Sequence, residues 1–283
     1  MKYGMNLLLW SGEITEAMLP TLEQLKKIGF DGVELPIFNL DLDYKKLGSQ
    51  LDNLGLARTA VTVRNLGDNP ISSDAAVRKN GLELNKRTLD CCAAVGAETL
   101  VGPYHSAIGH FSGNMRTNDE WKWGIESMRA AAEHAGKVNV MLGLEPLNRF
   151  EVYFLNAQAD AAQFCREVNH PNCRMMYDTF HANIEEKSIS KALHDVKDML
   201  CHIHISENDR STPGHGGVQW KQTFDAIRDI GYDGWLVVEA FGLALPEIAA
   251  ATKIWRKMYQ DEMQLAREAF AFMKNQTAIR GIG

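Results

Sequence analysis

Apolar residues recur along this chain in two alternating rhythms. Short continuous runs such as Tyr3–Trp10 alternate with longer stretches whose apolar positions fall three and four apart, as at Met18, Leu22, Leu25 and Ile28. The first pattern predicts a buried strand and the second an amphipathic helix. In the N-terminal half the spacing predicts strands over Tyr3–Trp10, Val33–Leu35, Arg58–Val63, Thr99–Gly102 and Val140–Glu145. Between them it predicts helices over Thr15–Ile28, Leu47–Leu54, Ala75–Val95 and from Asn118 to Gly136. Gly29-Phe30-Asp31-Gly32, Gly55 and Gly96 stop the first three helices, and Ser72-Ser73-Asp74 caps the third.

The C-terminal half keeps the rhythm. Strands are predicted over Arg174–Asp178, Cys201–Ile205 and Trp235–Glu239. Helices are predicted over Asn156–Val168, Ile184–Val196, Trp220–Ile230 and Pro246–Lys274, the last intact or broken. Strands alternating with helices imply a parallel sheet. Eight such units in about 250 residues suit an α/β fold of the closed (β/α)8 TIM-barrel type. An open doubly wound sheet is the competing architecture, but no G-x-G-x-x-G follows the first strand. With no Pro/Ser-rich linker and no low-complexity segment, residues 1–283 are expected to form a single barrel domain.

Composition adds boundaries. A hydrophobic fraction of 45% and a charged fraction of 23% are those of a soluble globular protein with a sizeable core. A net charge of −6 argues against nucleic acid or an anionic membrane as partner. No apolar run approaches the roughly 20 residues of a membrane span. The start, Met1-Lys2-Tyr3-Gly4-Met5, enters a strand without a signal-peptide cleavage region, so the cytoplasm is the expected compartment. Cys91, Cys92, Cys165, Cys173 and Cys201 show no CxxC spacing and read as small buried apolar side chains.

Candidate chemistry lies where the strands end, because a barrel of this kind carries its active site on the C-terminal rim. In Leu142–Glu151, L-G-L-E-P-L-N-R-F-E, an apolar run ends in Glu145, Pro146 halts further pairing, and a second acid, Glu151, follows. Strand six ends in Asp178, strand seven places His204 near its end, and strand eight ends in Glu239. Singly, each acid could cap a helix or face solvent. Four consecutive strands delivering metal-competent side chains to one half of the rim change that reading, because adjacent carboxylates repel unless a cation or protons intervene. Three carboxylates and one imidazole favour Mn²⁺, Mg²⁺ or Co²⁺ in six-coordinate geometry over tetrahedral structural Zn²⁺. On the adjoining loops, His181 of D-T-F-H and Arg210 of H-I-S-E-N-D-R read as polar contacts to a hydroxylated substrate. Glu207 reads as an ordinary loop residue. Pro213-Gly214-His215-Gly216-Gly217 has the glycine content of a phosphate loop but no lysine, so a flexible loop is expected.

Together L-E-P-L-N-R-F-E, D-T-F-H-A-N-I-E-E, H-I-S-E-N-D-R and V-V-E-A-F resemble the ketose 3-epimerases. That family includes D-tagatose, D-psicose (D-allulose) and L-ribulose 3-epimerases, within the xylose isomerase-like TIM barrels. The resemblance runs along essentially the whole chain. N-R-F-E and D-T-F-H-x-N-I-E-E are its specific part, whereas G-F-D-G-V-E-L is shared across the wider superfamily. It implies one Mn²⁺ (or Co²⁺) held by Glu145, Asp178, His204 and Glu239, with Glu145 and Glu239 also the acid/base pair. It implies Glu151, His181 and Arg210 at the O1–O3 end of the sugar, and a homodimer or homotetramer. The chain departs from the family at Asn6, where some members carry an aromatic, at Pro103-Tyr104-His105 after strand four, and at Pro146, where several carry valine. These departures bear on substrate choice.

The reaction so implied is C3 epimerisation of an unphosphorylated ketose such as D-tagatose, D-fructose/D-psicose or L-ribulose. A C–H beside a ketose carbonyl is a weak acid, and a divalent cation on the carbonyl and adjacent hydroxyl oxygens stabilises the cis-enediolate formed on deprotonation. Inversion requires a proton to leave one face and return to the other. Carboxylates on strands five and eight, three steps apart around an eight-strand ring, can flank the sugar and do this. An aldose–ketose isomerase or a dehydratase of the same superfamily would use the same metal. A metal-dependent apurinic endonuclease of this architecture would need more strand-end histidines and a basic surface, and neither is present. A non-catalytic sugar-binding barrel is the remaining alternative.

Overall fold

The computed structural model describes residues 1–282. Eight strands close into one barrel in sequence order. They are β1 Lys2–Asn6, β2 Gly32–Pro36, β3 Ala57–Val61, β4 Thr99–Gly102, β5 Met141–Leu144, β6 Cys173–Asp178, β7 Leu200–Ile205 and β8 Trp235–Val238. Every pairing is parallel, and β8 closes onto β1 through Lys2–Trp235 to Met5–Val238. The expected TIM barrel is the fold observed.

The outer layer follows the sequence closely where caps are strong. Asp74 accepts the Ala76 amide and starts α3, Ala75–Val95, which ends at Gly96 with φ 74°. Thr117 and Glu120 form a reciprocal capping box at the start of α4, Asn118–Lys137. The remaining helices of the first half are α1 Leu19–Ile28 and α2 Tyr44–Leu54, and α5 spans Gln158–Val168. Among the described residues no helix is long and apolar enough to cross a membrane.

Several elements shift by a few residues at their ends, α1 and α2 among them, and three differ more from the predicted spans, each for a local reason. The first strand stops at Asn6 because the Asn6 side chain accepts the Leu8 amide at 2.8 Å and turns Leu7–Leu9 into a 3-10 helix. The predicted helix over Ile184–Val196 is two helices, α6 Thr179–Glu185 and α7 Ile189–Val196, the second capped by Ser188. Asp178 starts α6 directly at the end of β6, leaving no loop between them. After α8, Trp220–Asp229, the last helical segment is broken into α9 Pro246–Thr252 and α10 Glu262–Ala278, separated at Lys253 with φ 61° and recapped by Asp261.

The main core lies between the barrel wall and the helices, with Leu22, Leu35, Leu89, Leu142, Phe164 and Leu265 fully buried. A second cluster, Leu8, Val61, Val101, Met176 and Phe241, packs apart from it. Cys92, Cys165 and Cys173 are buried as expected, while Cys91 and Cys201 are half-buried; all five are free thiols. Gly102 ends β4 with φ 121°, and a Cβ there would stand 2.2 Å from the Thr62 carbonyl oxygen. Gly102→Ala is therefore expected to cost at least about 2 kcal/mol through overpacking and backbone strain. Urea unfolding checks this, and wild-type stability would show that β3 and β4 can separate at that point without loss.

Candidate active site

Glu145 stands one residue beyond β5 and Glu239 one residue beyond β8. Both extend the ladder by one step: the Glu145 amide donates to Gly102 O at 3.2 Å and the Glu239 amide to Ile205 O at 3.2 Å. Sheet hydrogen bonding thus places these two side chains. Asp178 closes β6 and pairs in register with His204 of β7. All four side chains are buried.

Asp178 divides its oxygens between two tasks. Oδ1 accepts the amides of Phe180 and His181 at 2.6 and 3.0 Å, capping α6. Oδ2 lies 3.5 Å from His204 Nδ1. Glu239 Oε1 and Glu145 Oε1 stand 3.4 and 3.9 Å from the same nitrogen. One ligand atom from each of the four residues lies within 4.8 Å of the others, a cluster able to hold a metal ion. His204 Nδ1 is buried without a hydrogen-bond partner. An unpaired buried polar atom costs about 1–3 kcal/mol, and a cation among these groups would satisfy it. Three oxygen donors and one nitrogen suit a hard or borderline divalent ion with coordination positions left for a ligand.

Burial is the largest influence on each of these four groups. It raises Glu145 well above the usual carboxylate range, and Glu239 raises it further. Glu239 is pushed up to about 7 by burial, with His204 and Arg210 opposing the shift and Asp178 and Glu34 reinforcing it. For Asp178 burial acts upward as well, but Arg210, His181 and His204 outweigh it and hold the carboxyl below its ordinary value. His204 is the reverse: burial disfavours its charge, and Glu34, Glu239 and Asp178 overcome that and raise it. The two glutamates therefore bind a proton more readily than the aspartate between them.

Arg210 reaches the cluster from the loop after β7 with a left-handed backbone, φ 64°. Its guanidinium lies 3.8 Å from the centre of the Phe180 ring and donates to Glu239 Oε2 and, at 3.1 Å, to Ser206 Oγ. His181 accepts the Asn148 amide at Nδ1, 3.1 Å away. Burial first, then Arg210, lowers its pKa to about 4, so the ring is neutral. The Arg210 guanidinium, which can only donate, reaches His181 Nε2 at 2.9 Å and ties the two side chains together at the cavity wall. Asn148 Nδ2 also donates to Glu151 at 2.8 Å, linking the second acid of the motif to the same group.

A cavity of about 430 Å³ opens over this arrangement. Glu145, Glu151, His181, Arg210 and Glu239 line it, together with apolar Leu8, Ile37, Val61, Ile108, Phe241 and Ile248. Asp178 and His204 lie fully buried beneath its surface. All seven residues singled out from the sequence thus fall in or directly under one cavity.

The closed parallel barrel agrees with the family to which the sequence matches: residues 22–276 fit the model of the xylose isomerase-like TIM barrels. A ketose 3-epimerase of Arthrobacter globiformis is 32% identical, covering 100% of this chain and 99% of its own. A D-psicose 3-epimerase of Agrobacterium fabrum is 31% identical over 97% and 98% of the two chains. The crystal structure of a D-allulose 3-epimerase from Methylomonas sp. in complex with D-allulose superposes with a TM-score of 0.93 at 27% identity, covering 98% of this chain and 97% of that one. The chain belongs to the ketose 3-epimerase family of these barrels and is an isomerase acting on carbohydrates.

Sequence reasoning passed over Glu34, His202 and Asn148. A lone acid between Val33 and Leu35, and the two-residue alternation that puts His202 on the face of His204, were the available signals. Glu207 also departs from its expected role. It is fully buried and accepts the amides of Asn208 and Val218 at 3.0 Å each, the Gly214 amide at 2.8 Å and Trp220 Nε1 at 2.9 Å. The Gly217 amide donates to Asn208 Oδ1 at 2.6 Å. The Gly214 and Gly217 amides are thus occupied, and the loop expected to be flexible is tied to a buried carboxylate. Glu207→Ala leaves four donors without their acceptor, at roughly 1 kcal/mol or more each. Amide exchange over residues 208–218 is expected to accelerate about tenfold or more, with kcat/KM falling by a similar factor as Arg210 loses its support. Unchanged exchange would show that the loop holds itself.

Proposed function

We propose that this enzyme inverts C3 of an unphosphorylated ketose, with Glu145 and Glu239 exchanging a proton with opposite faces of the sugar. The observation that carries the reading is the pair of buried glutamates delivered from β5 and β8 into one cavity, both raised in proton affinity. A general acid/base works best when its pKa lies near the operating pH. Each glutamate removes the C3 proton in one direction and returns it in the other, leaving a planar enediolate between the two transfers. Arg210 donates to an oxygen at the O1–O3 end, His181 contacts the same end, and Glu151 accepts from a hydroxyl there. Those contacts select which C–H stands between the carboxylates.

A divalent cation held by Glu145, Asp178, His204 and Glu239, Mn²⁺ in this reading with Co²⁺ or Mg²⁺ as alternatives, supplies Lewis-acid stabilisation of negative charge on the sugar oxygens. The occupied amides of the loop over residues 213–217 support a substrate without phosphate. The relatives named for D-psicose and L-ribulose, with structures of D-psicose 3-epimerases holding D-tagatose or obtained with D-fructose, support D-tagatose, D-fructose/D-psicose and L-ribulose as the substrates to test.

In D₂O, with Mn²⁺ and this panel of ketoses, the expected result is deuterium at C3 accompanied by inversion. Exclusive transfer between C1 and C2 would mark an aldose–ketose isomerase and overturn the proposal. Glu239→Gln is expected to lower turnover at least about 100-fold, and near-normal turnover would remove the assigned role. Chelation is expected to abolish turnover and lower the thermal midpoint. Restoring Mn²⁺ at a hundred times its Kd should return about 2.7 kcal/mol of stability; no shift on readdition would mean the cluster holds no ion.

A further inference from the structure

The interior of a TIM barrel is ordinarily filled by branched apolar side chains. Directly under the strand-end cluster this barrel is polar instead. Glu34, in the middle of β2, is fully buried, and its ion pairs are to His204 and His202. Glu34 Oε1 accepts from His204 Nε2 at 2.7 Å and from Asn6 Nδ2 at 2.9 Å. Glu34 Oε2 accepts from Thr59 Oγ1 at 2.9 Å and lies 3.0 Å from His202 Nε2. Donors from β1, β3 and β7 therefore converge on one carboxylate and fix its position across the barrel.

We propose that Glu34 is the positioning residue for His204: it takes the Nε2–H hydrogen bond, which fixes the tautomer and tilt of the ring so that Nδ1 presents its lone pair to the cation. The inference rests on reading Glu145, Asp178, His204 and Glu239 as a metal centre. An imidazole has two nitrogens, and whichever carries the proton cannot ligate. The 2.7 Å contact is the length of a charge-assisted hydrogen bond. It holds one proton on the side away from the cluster, so the nitrogen that faces the three carboxylates, 3.4 to 3.9 Å away, is Nδ1. A carboxylate behind a ligating histidine also makes the ring more basic, and losing such a partner typically lowers metal affinity by about 10–100-fold.

Glu34, His202 and His204 could also be read as a second metal site. The contact distance excludes it. Two atoms each about 2.1 Å from one tetrahedral ion stand roughly 3.4 Å apart, whereas Glu34 and His204 meet at 2.7 Å. Asn6 gains a purpose here. Where some family members carry an aromatic, this chain carries an amide that holds Glu34 in place with its nitrogen while its oxygen ends β1.

Calorimetric titration of Mn²⁺ into metal-free protein, with the visible spectrum of the Co²⁺-loaded form, tests the proposal. Glu34→Gln is expected to weaken Mn²⁺ binding about 10–100-fold and to shift the Co²⁺ bands. Thr59→Val, which leaves the Glu34–His204 bond intact, should change affinity by no more than about threefold. Glu34→Gln that binds Mn²⁺ within about twofold of wild type, with unchanged Co²⁺ bands, overturns the inference and leaves the metal centre standing. Wild type that takes up no Mn²⁺ removes both. Should Glu34→Gln fail to fold, ¹⁵N–¹H spectra of the wild-type protein loaded with diamagnetic Zn²⁺ decide: a protonated Nε2 on His204 supports the assignment, and a protonated Nδ1 overturns it.

Discussion

Negative charge enclosed in a barrel is the constraint on which this structure depends. Glu34, Glu145, Asp178 and Glu239 are buried within one small volume, and Arg210 is the arginine that reaches it. Carboxylates withdrawn from water are costly unless paired or hydrogen-bonded. The surrounding architecture supplies those partners. Asn6 and Thr59 satisfy Glu34 from below, the start of α6 satisfies half of Asp178, and Phe180 and the Glu207-bound loop hold Arg210 over Glu239. What those contacts leave unsatisfied is the inward side of the cluster, where His204 Nδ1 is unpaired.

The site combines two kinds of scaffold. The residues assigned to cation binding and proton transfer are at strand ends, held by ladder hydrogen bonds that few loop movements can disturb. Those assigned to the sugar's oxygens, Glu151, His181 and Arg210, come from the segments that follow. Loops vary more readily than the elements they join. Such a division lets substrate choice drift while the proton-transfer geometry stays fixed.

Much of this was legible in the chain because it obeys short-range rules. Strand spacing gave the barrel, and the acids closing strands five, six and eight stood out against apolar runs. Helix breaks were less visible: nothing in the periodicity of Ile184–Val196 shows that Asp178 launches a helix immediately, since that depends on which way its carboxylate turns. Glu34 was passed over and Glu207 misread for a related reason. Their roles are set by donors arriving from other strands or from residues up to 13 positions away, and no local pattern encodes such convergence. The strand-end cluster was readable because topology alone brings strand ends together; the layer supporting it required side-chain geometry.

Asp178 carries one last implication. Its two oxygens serve a helix start and a metal-competent cluster at once, so the position is pinned from two directions. Asparagine would keep the cap and forfeit the charge. Glutamate would keep the charge, but its extra methylene would carry the carboxylate past the amides of Phe180 and His181. Loops around the barrel can be rebuilt without touching this position, where aspartate meets both demands at once.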